Sequence, residues 1–377
     1  MGASGEFTVG VEEEYQIVDP ASRELRSRAG RILRDAREAV GDEVTNELYL
    51  SQIEIGTPVC ASLAEARSEL ARLRGALIAA AEGNGSRIAS AGTHPFSRWQ
   101  EQTLTPKDRY RGIAQDYQQI AREQVIFGCH VHVGFPDREA AIRAMSRARV
   151  WLAPLIALSA SSPFWQGRDT GYASYRTELF QRFPTTGVPG VFANRAEYDA
   201  LVSDLVGTGL IEDGSKIYWD LRPSSHYDTL EFRVADVCPT VDETVMIAGL
   251  CRALAAACED DSRRGVPVPD VRPELLRAAK WYASRYGLDG ELVDVPARRS
   301  APAAEVVGQL LAYVRPPLER WGEWDEVSSL VARTLAQGNG ARRQRQAFAR
   351  AGRMEGVVDL IIAETASGLG GGGCPRE

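Results

Sequence analysis

His130 and His132 stand two residues apart in the stretch IFGCHVHVGF (126–135), and they are half of the four histidines in 377 residues. Side chains alternate across a β-strand, so residues two apart share a face. The same spacing recurs in other stretches that read as strands. FTVGVEEEYQIVD (7–19) carries Glu12 and Glu14, and ELYLSQIEIGTPV (47–59) carries Glu54 with Gln52. KIYWDLRP (216–223) carries Asp220 and Arg222; TLEFRVADV (229–237) carries Glu231 and Arg233. Each run pairs an apolar side with a polar side. One HxH or one glutamate pair is ordinary solvent-facing polarity. Its recurrence from strand to strand, with complementary types, points to one shared site. Glu12, Glu14, Glu54, Glu231 and His130 are donors for a hard cation, whereas Arg222, Arg233 and His132 suit an anion.

Carboxylate oxygens outnumber imidazoles in that set and no cysteine is placed for ligation, which favours Mg²⁺ or Mn²⁺ over structural zinc. Magnesium sites are commonly completed by substrate phosphates, so ATP is the natural companion. The chain has no GxxxxGK[ST] and no strand-linked GxGxxG, so neither a P-loop nor a Rossmann phosphate cradle is expected. Only Lys107, Lys216 and Lys280 are lysines among the 44 basic residues, which leaves arginine to grip phosphate or carboxylate.

The elements that must position these groups follow from periodicity. A helix-prone stretch covers 23–40 and an amphipathic helix 62–82. A short strand ending in a turn covers 86–96, and a helix 106–123. Asp137 caps a helix running to about 158, kinked at Pro154. The segment 162–192 is rich in Gly, Pro, aromatics and arginine and reads as a functional loop. Within it Tyr172, Ser174, Tyr175 and Arg176 are candidate substrate contacts, with Arg176 the candidate carboxylate clamp. Residues 216–223 and 229–237 form a hairpin across SSHYD, and from 240 onward the pattern is almost wholly helical. Glu13 falls on the apolar side of its strand, which reads as an exposed or edge position. Glu47, seven before Glu54, falls on the opposite face unless a bulge intervenes. Asp220 and Arg222 either pair with each other or touch substrate, and Arg343 in GNGARRQR is a further candidate contact. His94 and His226 read as turn residues.

No linker or repeat divides the chain. One domain over 1–366 with a flexible Gly-rich tail at 367–377 is expected. A net charge of −7 argues against nucleic acid or an anionic membrane as main partner. No apolar run is long enough for a membrane span, and MGASGEFTVG has no signal-peptide pattern. Six scattered cysteines without CxxC read as reduced thiols, which suggests the cytoplasm.

FTVGVEEEYQIVDP, SQIEIGTPV, CHVHVGFPD, LSASSPFWQGRDTGYASYRTELF, WDLRPSSHYDTLEFRVAD and NGARRQRQAFA occur in that order over residues 6–366. Together they resemble the carboxylate–amine ligase branch of the glutamate–cysteine ligase type 2 family. The resemblance implies an α+β, glutamine synthetase-like catalytic fold, with a curved, mainly antiparallel sheet forming a funnel backed by helices. It implies ATP-dependent joining of a small-molecule carboxylate, by default the γ-carboxylate of glutamate, to an amine such as cysteine through an acyl phosphate. By motif position Glu12, Glu14, Glu54, His130 and Glu231 are the implied metal ligands. Arg233 is the implied γ-phosphate arginine, and His132 the implied phosphate-facing histidine. Arg343 is assigned to the nucleotide and Tyr172, Ser174, Arg176 and Arg222 to the substrates. A homo-oligomer is also implied. Two other readings are a metal-dependent hydrolase built on the HxH and acids, and a non-catalytic module on the same scaffold.

Overall fold

The computed structural model describes residues 6–369, so residues 370–377 of the expected tail lie outside the described residues. In chain order its strands are β1 (Val9–Val18), β2 (Val44–Asn46), β3 (Gln52–Gly56), β4 (Arg87–Ala89) and β5 (Gly128–Gly134). Then come β6 (Phe164–Trp165), β7 (Arg168–Asp169), β8 (Leu221–Pro223), β9 (Thr229–Asp236), β10 (Glu291–Asp294) and β11 (Arg299–Pro302). A seven-stranded antiparallel sheet runs β2-β3-β1-β5-β9-β8, with β4 on the C-terminal end of β1. Two small ribbons, β6-β7 and β10-β11, lie apart from it.

Parity does what the alternating pattern requires. Val9, Val11, Tyr15 and Ile17 of β1, Cys129, Val131 and Val133 of β5, and Leu230, Phe232 and Val234 of β9 are all buried. The helices Leu63–Gly83, Arg138–Ala148 and Val241–Arg263 cover that face. Its largest apolar cluster runs from Phe7 to Val331, a single continuous core. An α+β chain with a mainly antiparallel sheet backed by helices is the expected architecture.

Most expected elements form with adjusted ends. Ser62 caps the helix Leu63–Gly83 by accepting the Glu65 N–H at 3.2 Å. Asp137 caps Arg138–Ala148 by accepting the Ala140 N–H at 2.7 Å. That helix does not continue through Pro154 as a kink. It passes into a 3₁₀ turn, Arg149–Trp151, and restarts as Leu152–Ser159. Pro154 then sits in the first turn, where its missing N–H has no acceptor to lose. The 106–123 helix breaks at Gln118, whose φ of 47° divides it into Asp108–Tyr117 and Gln119–Arg122. The 86–96 strand shortens to β4, and the chain then turns around buried His94. Its Nδ1 accepts the N–H groups of Phe96 and Ser97 at 3.2 and 2.9 Å. The β10-β11 ribbon interrupts the helical C-terminal half; its strands are only four residues long and too short for a periodic signal.

Candidate active site

The polar face of the sheet opens into a cleft of about 440 Å³, in the range of small-molecule sites. Register sets its floor. Glu14 lies directly across from Glu54, Glu12 from His130, His132 from Glu231, and Glu231 from Arg222. The strands therefore agree on one face, as their spacing requires. Gly10 and Gly56, opposite His132 and Glu12, leave open space between these side chains. The β5-β9 ladder shifts register between Cys129 and Val131: β9 carries one extra residue there, so Arg233 and Val234 together face His130.

At the β5-β9 end, Glu231 is gripped from two sides. Arg222 Nε donates to it at 2.8 Å and Arg233 Nη1 donates to its other oxygen. Burial raises its pKa, but the two arginines overcome that and hold the carboxyl well below the usual range. Glu12 is likewise held low, since hydrogen bonds to His130 (3.0 Å) and an approach by His132 (3.4 Å) outweigh its burial. Burial and the charge of Arg233 push His130 down to about 4. Glu12, His132 and Glu231 can each turn one ligand atom to within 4.8 Å of the others. His132 thus borders these two acids, and His130 hydrogen-bonds Glu12 at 3.0 Å beside them.

At the β1-β3 end the balance is opposite. Burial, then the charge of Glu47, pushes Glu14 up to about 8, although its Oε2 accepts the Gly128 N–H at 2.7 Å. Burial and the charges of Glu12, Glu47 and Glu14 raise Glu54 well above the carboxylate range. Burial raises Glu47 as well. None of the three forms an ion pair among the described residues. Crowded, half-buried carboxyls with no ion-pair partner among the described residues fit a hard divalent ion such as Mg²⁺ or Mn²⁺.

Arg176 and Arg233 lie side by side over Phe180, with guanidinium carbons 5.1 and 5.9 Å from the ring centroid. Arg176 is buried and has no carboxylate partner among the described residues. It donates to the carbonyls of Arg233 (3.1 Å) and Val234 (3.4 Å), and its Nε, like Arg233 Nε and His132 Nε2, has no partner among the described residues. These unsatisfied donors suit an anionic ligand.

Several expected contacts lie elsewhere. Arg343 is outside the cleft, because Glu243 (2.9 Å) and Glu364 (2.7 Å) hold it beside a second cavity of about 330 Å³. Ser174 is buried as the cap of the helix Tyr175–Phe180 and donates to Asp236 at 2.7 Å. Tyr172 packs on Tyr175 and accepts from Trp281 at 3.2 Å. Of the four candidates in that loop, only Arg176 reaches the cleft, with Phe180 and Phe183 of the same segment beside it. Arg222 lines it, but its donors are spent on Glu231 and on the carbonyls of Ser215 and Ile217. Asp220 does not pair with Arg222; Lys280 binds it at 2.6 and 2.7 Å behind the site. Glu13 is neither exposed nor at an edge, since Arg74 neutralises it in the core. Glu47 does line the cleft. It follows β2 rather than riding on β3, so strand parity never applied to it. Arg109, Tyr110, Tyr218 and Tyr227 also line the cleft. They come from a helix and turns, where no pattern in the sequence marked them.

A model of glutamate–cysteine ligase family 2 (GCS2) matches residues 8–364. A protein of Frankia alni named "Putative glutamate--cysteine ligase 2-2" is 46% identical, covering 97% of this chain and 98% of its own. A Rhodopirellula baltica protein of the corresponding name is 44% identical over 95% and 96%. Among solved structures, glutamate–cysteine ligase of Francisella tularensis in complex with AMP has a TM-score of 0.72 at 12% identity, covering 98% of this chain and 91% of that one. A bifunctional glutathione synthetase from Pasteurella multocida gives 0.70 at 15% identity, covering 96% of this chain and 51% of the other. These likenesses show the fold. No helix among the described residues is long and apolar enough to cross a membrane. Family match, relatives and sheet architecture agree over nearly the whole chain: it belongs to glutamate–cysteine ligase family 2.

Proposed function

We propose that the protein is an ATP- and Mg²⁺-dependent ligase that joins the γ-carboxylate of glutamate, or a similar small carboxylate, to an amine such as cysteine through an acyl phosphate. The ligase class is that of its family. One observation carries the rest: under-compensated carboxyls and unsatisfied arginine donors share one cleft. A carboxylate is a poor electrophile, and ATP would convert its oxygen into a leaving group by phosphoryl transfer, which depends chiefly on positioning and charge neutralisation. Glu12, Glu231 and the Glu14–Glu54 pair would hold Mg²⁺, which supplies neutralisation of phosphate charge when bound. Arg233, anchored by Glu231, would meet the charge developing on the transferring phosphoryl group. Arg176 is free to bind the carboxylate substrate, and His132 Nε2 to meet a phosphate oxygen. The hydrolase reading is weaker, because the family that matches nearly the whole chain, and the relatives within it, carry ligase names.

An ADP-release screen of carboxylic acids against amines, glutamate and cysteine included, tests the proposal. ADP should appear only where Mg²⁺, acid and amine are all present. Amide hydrolysis without ATP would replace the ligase by the hydrolase.

A further inference from the structure

Glu13 lies between Glu12 and Glu14 but points the other way, into the apolar face, and is fully buried. Such a carboxylate is costly unless every oxygen is met. Arg74, from the helix Leu63–Gly83, donates to both oxygens at 3.0 and 2.5 Å. The Thr244 hydroxyl adds a bond at 2.6 Å, and the Tyr15 hydroxyl another. Arg74 is itself fully buried. Its remaining donors reach the carbonyls of Cys238 and Pro239, both at 2.9 Å, just beyond the end of β9.

The placement matters because β1, which carries Glu12 and Glu14, and β9, which carries Glu231 and Arg233, are not neighbours. Between them lies β5, whose ladder to β9 changes register at the bulge where Arg233 and Val234 face His130. The two groups of acids are thus related across the sheet only through β5 and that irregularity. We infer that the Glu13–Arg74 pair is a positioning device: it ties β1 to the exit of β9 beneath that bulge and fixes the spacing of Glu12 and Glu14 from Glu231 and Arg233. Neither residue touches a ligand. The inference rests on the reading that the cleft holds a divalent cation.

The full-length protein tests it with Mn²⁺ as probe, its binding followed by electron paramagnetic resonance without nucleotide and the fold by thermal denaturation. Arg74→Met leaves Glu13 buried and unpaired and should lower the midpoint sharply. The double variant Glu13→Leu/Arg74→Met replaces the pair by apolar side chains and should recover much of the midpoint. Its Mn²⁺ dissociation constant should still rise at least tenfold, and the Mg²⁺ needed for half-maximal ADP release should rise with it. A folded double variant that binds Mn²⁺ as the wild type does overturns the inference. Should the double variant not fold, Arg74→Lys keeps the charge without the bidentate fork, and Mn²⁺ binding weakened several-fold is expected; unchanged binding again overturns it. Wild-type protein that binds no Mn²⁺ overturns the cation reading beneath the inference, and the inference with it. Normal wild-type binding alongside an unaffected variant overturns the inference alone.

Discussion

Glu13 and Glu14 are consecutive residues on one strand, and the protein treats their charges in opposite ways. Glu13 receives a bidentate arginine and two hydroxyls in the core. Glu14 receives one backbone N–H and faces two further acids, and burial with the Glu47 charge pushes it up to about 8. A carboxylate that serves the fold is satisfied by the fold. One that serves chemistry is left for a ligand to satisfy, at a cost in stability. The two arginines follow the same division: Arg74 has no free capacity, whereas Arg176 and Arg233 each keep an unpartnered Nε.

Three substitutions can break or sharpen that contrast, in descending order of effect. Arg233→Ala should lower ADP release by about 10³-fold or more. The fold should persist, because Glu231 keeps Arg222; near-normal turnover would remove Arg233 from the phosphate site. Arg74→Met removes no group that lines the cleft, yet it should cost about 3–5 kcal/mol in urea denaturation, since it strands a buried charge. A loss under 1 kcal/mol would make the two faces more alike than described. Gly128→Ala is the mildest. A Cβ there would meet Arg176 Nη2 at 2.5 Å, so the guanidinium must move. The KM for the carboxylate substrate should rise about tenfold, roughly 1.4 kcal/mol, with a smaller change in kcat. An unchanged KM would take Arg176 out of substrate binding.

Much of the site was legible because it is written on strands. The i, i+2 spacing of Glu12–Glu14, His130–His132 and Glu231–Arg233 fixes their face regardless of strand order, and the register then brings them together. What parity could not show is which polar residue on the core side has a distant partner. Glu13 looked like an edge residue because Arg74 is 61 positions away. Residues off the strands were harder in both directions. Glu47 enters the cleft from a turn, while Ser174 and Arg343 carry motif-like surroundings but are held by Asp236 and by Glu243 with Glu364. The β10-β11 ribbon was hidden by its brevity.

The central claim is that the acids on the cleft face are completed by a divalent cation, and stability against pH with and without Mg²⁺ tests it most directly. Between pH 6.5 and 8 the buried His94 and His130, lowered chiefly by burial to about 3 and about 4, are neutral in the folded chain. Their unfolded counterparts each lose about half a proton across the window, which adds only a rise in stability of less than about 1 kcal/mol. Glu14 is different: raised to about 8, it holds a proton in the folded chain that the unfolded chain has already released. Stability of the metal-free protein must then fall as pH rises through that window, by about 2 kcal/mol for Glu14 alone. Saturating Mg²⁺ should stabilise the protein and abolish the fall, because a bound cation keeps the carboxylates ionised in the folded state, and Glu14→Gln should flatten the metal-free curve. The same slope with and without Mg²⁺, or no Mg²⁺ stabilisation at pH 8, would contradict the account.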